Sequence, residues 1–217
     1  TGPSIMAGGS RSGWSRLQHC FEAISAKVEG EPCCMFFGKG GSGHFVKMIH
    51  NGIEYGVMHL LSEIYTILCR TDRNDQESIA EVFTHLNSGQ TASYLMDVTA
   101  RVLTERRSGQ DSFLIDEVDG RTEQKGTGLW TVKTALDLGV PVPTISEAVM
   151  FRQLSGMIKY PTEPPFTDFP KFMRLRDNLA ELQDAVLLAF ISTFAQGMSV
   201  LTAGKEVVGN ELDLGKV

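Results

Sequence analysis

The sequence predicts a mainly α-helical fold that follows a small α/β segment at its amino-terminal end. From His44 onward, apolar residues recur at every third or fourth position, which is the period of an amphipathic helix. Before that point, Cys33–Phe37 is a short apolar run typical of one strand, and the glycine-rich stretch Gly38–Gly43 predicts a turn. We therefore predict a boundary near residue 40, with an α/β remnant over residues 1–40 and a helical domain over residues 41–217.

Individual helices can be placed from the same periodicity and from their stop signals. Trp14, Phe21 and Val28 share one face of a helix predicted over Ser10–Glu29. A loop is predicted over Tyr160–Pro170, because prolines interrupt helices. The remaining predicted helices are His44–Arg70, Asp75–Asn87, Ala92–Arg106, Leu129–Leu138, Ile145–Leu154 and Asn178–Ala203.

Composition narrows the possible partners. The chain has 217 residues and a formal net charge of -6, so no global basic field attracts nucleic acid or an anionic membrane. No uninterrupted apolar run reaches the ~18–20 residues needed to span a bilayer, and no signal peptide is visible. An anionic small molecule would need local basic residues. Because the chain begins at Thr1 and shows no evident terminal element, we expect it to be part of a longer protein.

The cysteines predict a reducing compartment and no metal centre. Cys20, Cys33, Cys34 and Cys69 contain no CxxC pair and no spacing typical of metal ligands. Nothing in their distribution resembles a secreted disulfide framework. We therefore expect four reduced thiols in a cytoplasmic protein.

The glycines of the predicted turn match a dinucleotide-binding fingerprint. Gly38, Gly40 and Gly43 form the pattern GxGxxG, and Glu63 supplies an acid about 20 residues later. The fingerprint belongs to a βαβ unit of about 30 residues, however, and helical periodicity here continues to Arg70 without a second strand. We therefore favour a turn whose glycines let a ligand approach the backbone closely.

The helix after this turn places ionisable side chains on one face. At about 100° per residue, His50 and Asn51 lie within about 60° of Lys47, and Glu54 lies within about 20° of it. The opposite face is apolar and includes Gly52 and Gly56, which predicts close helix packing. Its larger members are Phe45, Ile49, Ile53, Val57 and Leu60.

This face has the residues needed for acid–base chemistry. Lys47 and Glu54 are about 10 Å apart along the helix axis, so a small substrate could lie between them. A lysine can act as a general base when burial disfavours its ammonium form, and a glutamate can act as the acid. His50 and Asn51 can hydrogen-bond hydroxyl or carboxylate oxygens. The alternative is an ordinary solvated polar face.

Several motifs together resemble the 6-phosphogluconate dehydrogenase family. Residues 41–56, GSGHFVKMIHNGIEYG, are similar to the family's catalytic helix, and part of this string is shared with the wider β-hydroxyacid dehydrogenase group. The resemblance covers nearly the whole chain in order and spacing. Other matching segments are Gly2-Pro3-Ser4-x-Met6, Gln124-Lys125-Gly126-Thr127-Gly128-x-Trp130, residues 138–143, Glu147-Ala148-Val149-x-x-Arg152 and Phe194-Ala195-Gln196-Gly197.

The resemblance implies a function, which we state as an expectation. It implies NADP-dependent oxidative decarboxylation of 6-phosphogluconate to ribulose 5-phosphate and CO2, in the pentose phosphate pathway and gluconate utilisation. Lys47 would be the general base, and Glu54 would protonate C1 of the enediol. The family forms homodimers. The implied substrate-binding residues are His50, Asn51, Tyr55, Lys125, Thr127 and Arg152.

The resemblance also shows what this chain lacks. The family's nucleotide-binding domain would precede Thr1, so residues 1–40 would be its last part, and a tail that reaches the neighbouring subunit's site would follow Val217. The segment 155–172 and Leu129 differ from the family pattern. Two alternatives stay open: another β-hydroxyacid dehydrogenase, or a non-catalytic helical dimerisation module.

Overall fold

The computed structural model describes residues 2–71, 76–109, 111–157, 178–209 and 212–216. It confirms the predicted fold class, because long helices follow a small α/β segment. The strands are β1 (Ile5–Ala7), β2 (Lys27–Val28), β3 (Glu31–Pro32) and β4 (Cys34–Phe36). The helices are α1 (Arg11–Ile24), α2 (Ser42–Thr71), α3 (Gln76–Leu86), α4 (Tyr94–Thr104), α5 (Thr127–Asp137), α6 (Pro143–Met157) and α7 (Leu179–Val208).

The amino-terminal segment is a βαβ unit. Strand β1 pairs with β4 in parallel, and α1 connects the two strands. The Ser10 side chain caps α1 by accepting a hydrogen bond from the Gly13 N–H at 3.1 Å. Trp14 stacks on Phe21 and on Phe36 of β4, with ring centroids 6.3 and 5.9 Å apart. These contacts hold the helix against the two-stranded sheet.

The prediction that this helix extends to Glu29 is wrong. Helix α1 ends at Ile24, and the chain then forms the antiparallel hairpin β2–β3. Glu29 and Gly30 at its tip both have positive φ, of 53° and 89°, which suits a tight hairpin turn. The apolar spacing continues to Val28, but that side chain is 64% exposed on the hairpin.

The glycine-rich turn joins the βαβ unit to α2 by direct backbone packing. A Cβ atom at Gly43 would lie 2.6 Å from the carbonyl carbon of Ala7 in β1. At this glycine the close approach is therefore made by the chain's own strand rather than by a ligand. No strand follows α2 within the described residues, which agrees with the expectation that the fingerprint is not a dinucleotide site.

The contacts divide the chain into two compact units. Unit one comprises Thr1–Ile53, Lys125–Ser146 and Phe194–Val217, and unit two comprises Glu54–Gln124 and Glu147–Thr193. The predicted loop over residues 160–170 and most of the divergent segment 155–172 lie outside the described residues. The predicted helices agree with α2 to α7 except for a few residues at their ends.

Unit one packs the apolar face of α2 closely against α5 and α7. Ile49 is fully buried and Ile53 is 9% exposed, as their positions on the helix predict. Ile53 fills the space that a side chain at Gly197 of α7 would need. Thr131 of α5 does the same at Gly52, where a Cβ atom would lie 2.6 Å from the threonine Cγ2. These two contacts confirm the predicted close helix packing.

Unit two has its own core, centred on the packed pair α3 and α4. Phe83 and Leu86 of α3 and Met96 of α4 are fully buried. The Tyr65 hydroxyl of α2 donates a hydrogen bond to Gln76 Oε1 at 3.1 Å, which ties the second half of α2 to the start of α3. Burial, followed by the charge of the nearby Cys69 thiolate, raises the pKa of Tyr65 to about 12.

Helix α7 is long and apolar enough, by length and composition alone, to cross a membrane. An 18-residue window within it has a mean hydropathy of 1.7, and 33% of that window is buried. The search for uninterrupted apolar runs misses this helix because polar residues such as Ser192 and Gln196 interrupt it. A single helix of this kind is weak evidence for a membrane, since core helices of soluble proteins pass the same test.

We predict that Gly197→Ala destabilises unit one by about 1–3 kcal/mol, the usual cost of overpacking a core. The added methyl group would lie 2.5 Å from Ile53 Cγ1, so the helices would have to separate. Urea denaturation measures the change. Gly156→Ala in α6 is the control, because no neighbouring atom of the described residues lies within 4 Å of its Cβ position. There, alanine should stabilise the helix by about 0.5–1 kcal/mol. Equal effects of the two substitutions would contradict the packing argument.

We also predict that Tyr65 gives a phase near pH 12 in the tyrosine ultraviolet titration, and that Tyr65→Phe removes this phase. The folded pKa lies above the ordinary value of 10, so the neutral phenol stabilises the fold fully below that value. The contribution is lost as the pH rises through about 12. Tyr94→Phe, at a side chain that is 79% exposed, should leave the phase near pH 12 in place.

Candidate active site

The first half of α2 brings three of the predicted residues together. The Lys47 amino group lies 3.2 Å from His50 Nδ1, one helical turn away. If the lysine donates, His50 accepts through Nδ1 and carries its proton on Nε2. The 3.5 Å contact from His50 Nδ1 to Asn51 Oδ1 would need the opposite tautomer, and we give the shorter contact more weight. All three side chains are half-buried, as residues at the edge of a cleft would be.

Helix α5 adds Thr127 to this cluster. The Asn51 amide donates a hydrogen bond to Thr127 Oγ1 at 3.3 Å, across 76 residues of sequence. Thr127 begins α5 directly after Gly126, whose φ of 95° turns the chain into the helix. The QKGTG segment therefore presents the threonine hydroxyl and the amino-terminal end of α5 beside the polar face of α2. Such helix ends bind anions through their unpaired N–H groups.

A cavity of about 460 Å³ in unit one opens beside this cluster. Lys47 and Thr127 line it together with His44 and Trp130. Trp130 is 55% exposed although it is large and apolar. The cavity thus combines an amino group, a hydroxyl group and an aromatic surface, a combination that is common in small-molecule sites.

Unit two brings the predicted pair Tyr55 and Arg152 together. The Arg152 guanidinium lies over the Tyr55 ring, 3.8 Å from its centroid, in a cation–π contact. One nitrogen also donates to the Glu123 carbonyl oxygen at 3.2 Å, and the other lies 3.8 Å from Met58 Sδ. These contacts fix the plane of the guanidinium and leave further N–H donors for a ligand.

Arg152 also lines a second cavity, of about 960 Å³, within unit two. His59 and Glu63 line it as well, with His59 Nε2 3.6 Å from the Glu63 carboxylate. The His59 ring packs on Phe151, with centroids 4.7 Å apart. Apart from Arg152, none of the sequence-predicted site residues lines this cavity.

The structure thus brings sequence-predicted site residues together in two groups, one in each unit. In unit one Lys47 contacts His50, and Asn51 bonds to Thr127, and in unit two Tyr55 contacts Arg152. Glu54 is half-buried on α2, one turn after His50 and Asn51. Lys125 is exposed immediately before Gly126. No group of three His, Cys, Asp or Glu side chains within the described residues could hold a metal ion.

Sequence reasoning missed three residues that line or support the site. His44 lines the smaller cavity, and its position one turn before Lys47 could have identified it. Trp130 could have been identified from its place at the end of the QKGTGLW motif. Thr131 could not, because its contact with α2 joins residues that are 83 positions apart.

Comparison with known proteins identifies the family. A family model described as 6-phosphogluconate dehydrogenase, C-terminal domain, matches residues 43–217. A Bacillus subtilis protein named 6-phosphogluconate dehydrogenase, NADP(+)-dependent, decarboxylating, is 40% identical over 100% of this chain and 47% of its own length. A decarboxylating 6-phosphogluconate dehydrogenase of Saccharomyces cerevisiae is 38% identical over 98% of this chain and 44% of its own length.

A solved structure agrees with this identification. The Plasmodium falciparum 6-phosphogluconate dehydrogenase, which was determined in apo form and with NADP+ and 6-phosphogluconate, superimposes with a TM-score of 0.84 at 32% identity. The match covers 98% of this chain and 47% of that protein. The chain therefore spans about half the length of the relatives it matches, and it belongs to the 6-phosphogluconate dehydrogenase family.

Proposed function

We propose that this chain carries the substrate-binding and acid–base residues of an NADP-dependent decarboxylating 6-phosphogluconate dehydrogenase. The observation that carries the proposal is the cluster of Lys47, His50, Asn51 and Thr127 beside a cavity, in a chain of this family. Within it, Lys47 contacts His50, and Asn51 donates a hydrogen bond to Thr127. The reaction converts 6-phosphogluconate to ribulose 5-phosphate and CO2. It would belong to the pentose phosphate pathway and to gluconate utilisation.

Lys47 is the proposed general base. In its neutral form it takes the proton of the C3 hydroxyl while hydride leaves C3, which produces a β-keto acid. When this acid loses CO2, the electron pair of the broken C–C bond moves into an enediol. The protonated Lys47 donates to the developing oxyanion at C3 and thereby stabilises it. The contact with His50 Nδ1, at 3.2 Å, holds the lysine amino group in place between these steps.

Glu54 is the proposed acid for the last step. It gives a proton to C1 of the enediol while Lys47 takes the proton of the enediol hydroxyl, which yields the ketone product. Its place on α2, seven residues after Lys47, separates acid and base by about 10 Å along the axis.

The remaining residues are proposed to bind the substrate. Asn51 and Thr127 already form a donor–acceptor pair that can accommodate a hydroxyl or carboxylate oxygen. For the phosphate, Arg152 offers the planar donor set that oxyanions prefer, and Tyr55 holds it by stacking. Lys125 is exposed and can add a further positive charge. Local cations of this kind are necessary because the chain as a whole has a net charge of -6.

NADP is the proposed cofactor, and it supplies the hydride acceptor for the oxidation. The GxGxxG turn lacks the βαβ unit that a dinucleotide site needs, because no strand follows α2 within the described residues. We infer that the nucleotide is bound by an α/β domain of which residues 1–40 are the last part, with residues 41–217 as the helical substrate domain. The parallel βαβ arrangement of β1, α1 and β4 supports this inference.

Homodimer formation and a cytoplasmic location complete the proposal. The dimer is inferred from the family, and the location from four cysteines that are all free thiols. The relatives are metabolic dehydrogenases, and two from Arabidopsis thaliana are named chloroplastic. The alternatives are another β-hydroxyacid dehydrogenase and a non-catalytic dimerisation module. The stacked Arg152–Tyr55 pair argues against the first, because an unphosphorylated acid has no need of it.

We predict that Lys47→Ala in the intact protein lowers turnover of 6-phosphogluconate by about 10²–10⁴-fold, the usual contribution of a general base. Binding should remain measurable, because the other ligand donors are unchanged. Reduction of NADP measures turnover, and the fluorescence of Trp130 at the edge of the cavity measures binding. Lys133→Ala, on the exposed side of α5, is the matched control and should behave like the wild type. Near-normal turnover of the Lys47 variant would rule out its role as the base.

We further predict that Arg152→Lys raises the KM for 6-phosphogluconate by about 10–100-fold, because charge-assisted hydrogen bonds contribute about 1.5–3 kcal/mol. The variant keeps the charge but loses the stacked fork over Tyr55. With gluconate, which lacks the phosphate, the same substitution should change the KM little. Arg101→Lys, at a side chain that is 78% exposed, is the control. Equal losses with both substrates would favour a dehydrogenase that acts on an unphosphorylated acid.

A further inference from the structure

Thr131 lies in the second turn of α5 and has no part in the mechanism described above. It is completely buried. Its hydroxyl donates to the Met48 carbonyl oxygen of α2 at 2.8 Å, and it lies 3.1 Å from the Thr127 carbonyl oxygen in its own helix. The second contact is ordinary for a threonine inside a helix. The first is not, because it joins two helices through a backbone carbonyl.

The backbone of α2 is shaped to receive this side chain. A Cβ atom at Gly52 would lie 2.6 Å from Thr131 Cγ2 and 2.8 Å from its Oγ1, so a larger residue would push α5 away. Met48 and Gly52 are one turn apart on α2, and the threonine contacts the helix at both positions. The close fit at Gly52 and the hydrogen bond to the Met48 carbonyl oxygen together fix the separation of α2 and α5 at this point.

The proposed substrate-binding pair, Asn51 and Thr127, lies next to this contact between α2 and α5. Asn51 immediately precedes Gly52, and Thr127 lies one turn before Thr131 in α5. The bond from Asn51 Nδ2 to Thr127 Oγ1 is 3.3 Å long, near the upper limit for such a bond. A small increase in helix separation would therefore break it, whereas the buried Thr131 contact prevents that increase.

We propose that Thr131 is a positioning residue, which holds Asn51 and Thr127 at the distance at which both can bind one substrate oxygen. Its effect on 6-phosphogluconate rests on the proposed function, whereas its effect on the Asn51 side chain does not. The hydroxyl acts through the two residues and does not touch the substrate.

The test compares Thr131→Val with Thr131→Ser in the intact protein. Valine keeps the shape but removes the donor, and we expect the KM for 6-phosphogluconate to rise about tenfold, which corresponds to about 1.4 kcal/mol. Serine keeps the donor and should stay within about twofold of the wild type. The expected change in kcat is smaller than the change in KM. If the valine variant had a lower melting temperature but an unchanged KM, Thr131 would contribute only to the stability of the core. That result would overturn the proposal.

A double-mutant cycle tests the route of the effect. In an Asn51→Ala background, Thr131→Val should raise KM by less than about twofold, because the pair it supports is already broken. A tenfold rise in KM in the Asn51→Ala background would show that Thr131 does not act through Asn51.

A third measurement does not depend on the substrate. The side-chain amide resonances of Asn51, assigned by their loss in Asn51→Ala, should shift in Thr131→Val and not in Thr131→Ser. If the wild type failed to turn over 6-phosphogluconate, the proposed function would be wrong while these shifts still decided the positioning role. Unshifted resonances in the valine variant would contradict that role even in an active enzyme.

Discussion

Close packing on the apolar face of α2 is the contact on which the candidate site depends. Helix α2 can present Lys47, His50 and Asn51 on one side because its other side is held firmly by α5 and α7. This packing requires small residues at the points of contact: Gly52 packs against Thr131, and Gly197 packs against Ile53. Interiors packed at this density hold side chains to within a fraction of an ångström. A general base must be positioned this accurately, because proton transfer depends steeply on distance.

The proposed recognition of an anion by this chain depends on local charges. The net charge of -6 opposes anions at long range, and screening at physiological ionic strength limits that field to about 8 Å. Within unit two, Arg152 is oriented by the Tyr55 ring and by the Glu123 carbonyl oxygen, neither of which carries a compensating negative charge. Within the described residues no ion pair neutralises Arg152, so its charge remains available to a ligand. An arginine in an ordinary surface ion pair, such as Arg121 with Asp119, is already neutralised.

The sequence was sufficient to predict the long helices and the polar face of α2, because both follow from a fixed angle per residue. The Lys47–His50 contact is a direct result of that angle. The same periodicity misled at α1, where apolar spacing continued to Val28 although the backbone had already turned at Ser25. Contacts between distant segments could not be predicted from the sequence pattern. The Asn51–Thr127 bond and the Met48–Thr131 bond join residues 76 and 83 positions apart, and only packing brings them together. The family resemblance implies Thr127 as a substrate-binding residue, but it gave no reason to select Thr131.

The Gly52–Thr131 contact also bears on whether this is a working site or a relic used only for dimer formation. A glycine inside a helix costs about 1 kcal/mol relative to alanine, and a buried hydroxyl must be satisfied by a partner. A helix pair selected for stability alone would do better with alanine at position 52 facing a small apolar residue at position 131. This chain instead has the glycine and uses the room to hydrogen-bond Thr131 to the α2 backbone, next to Asn51. The glycine lowers the stability of the helix, but the hydrogen bond that it permits fixes the position of the Asn51–Thr127 pair beside a cavity. A demand of that kind is expected from substrate binding and not from dimer formation.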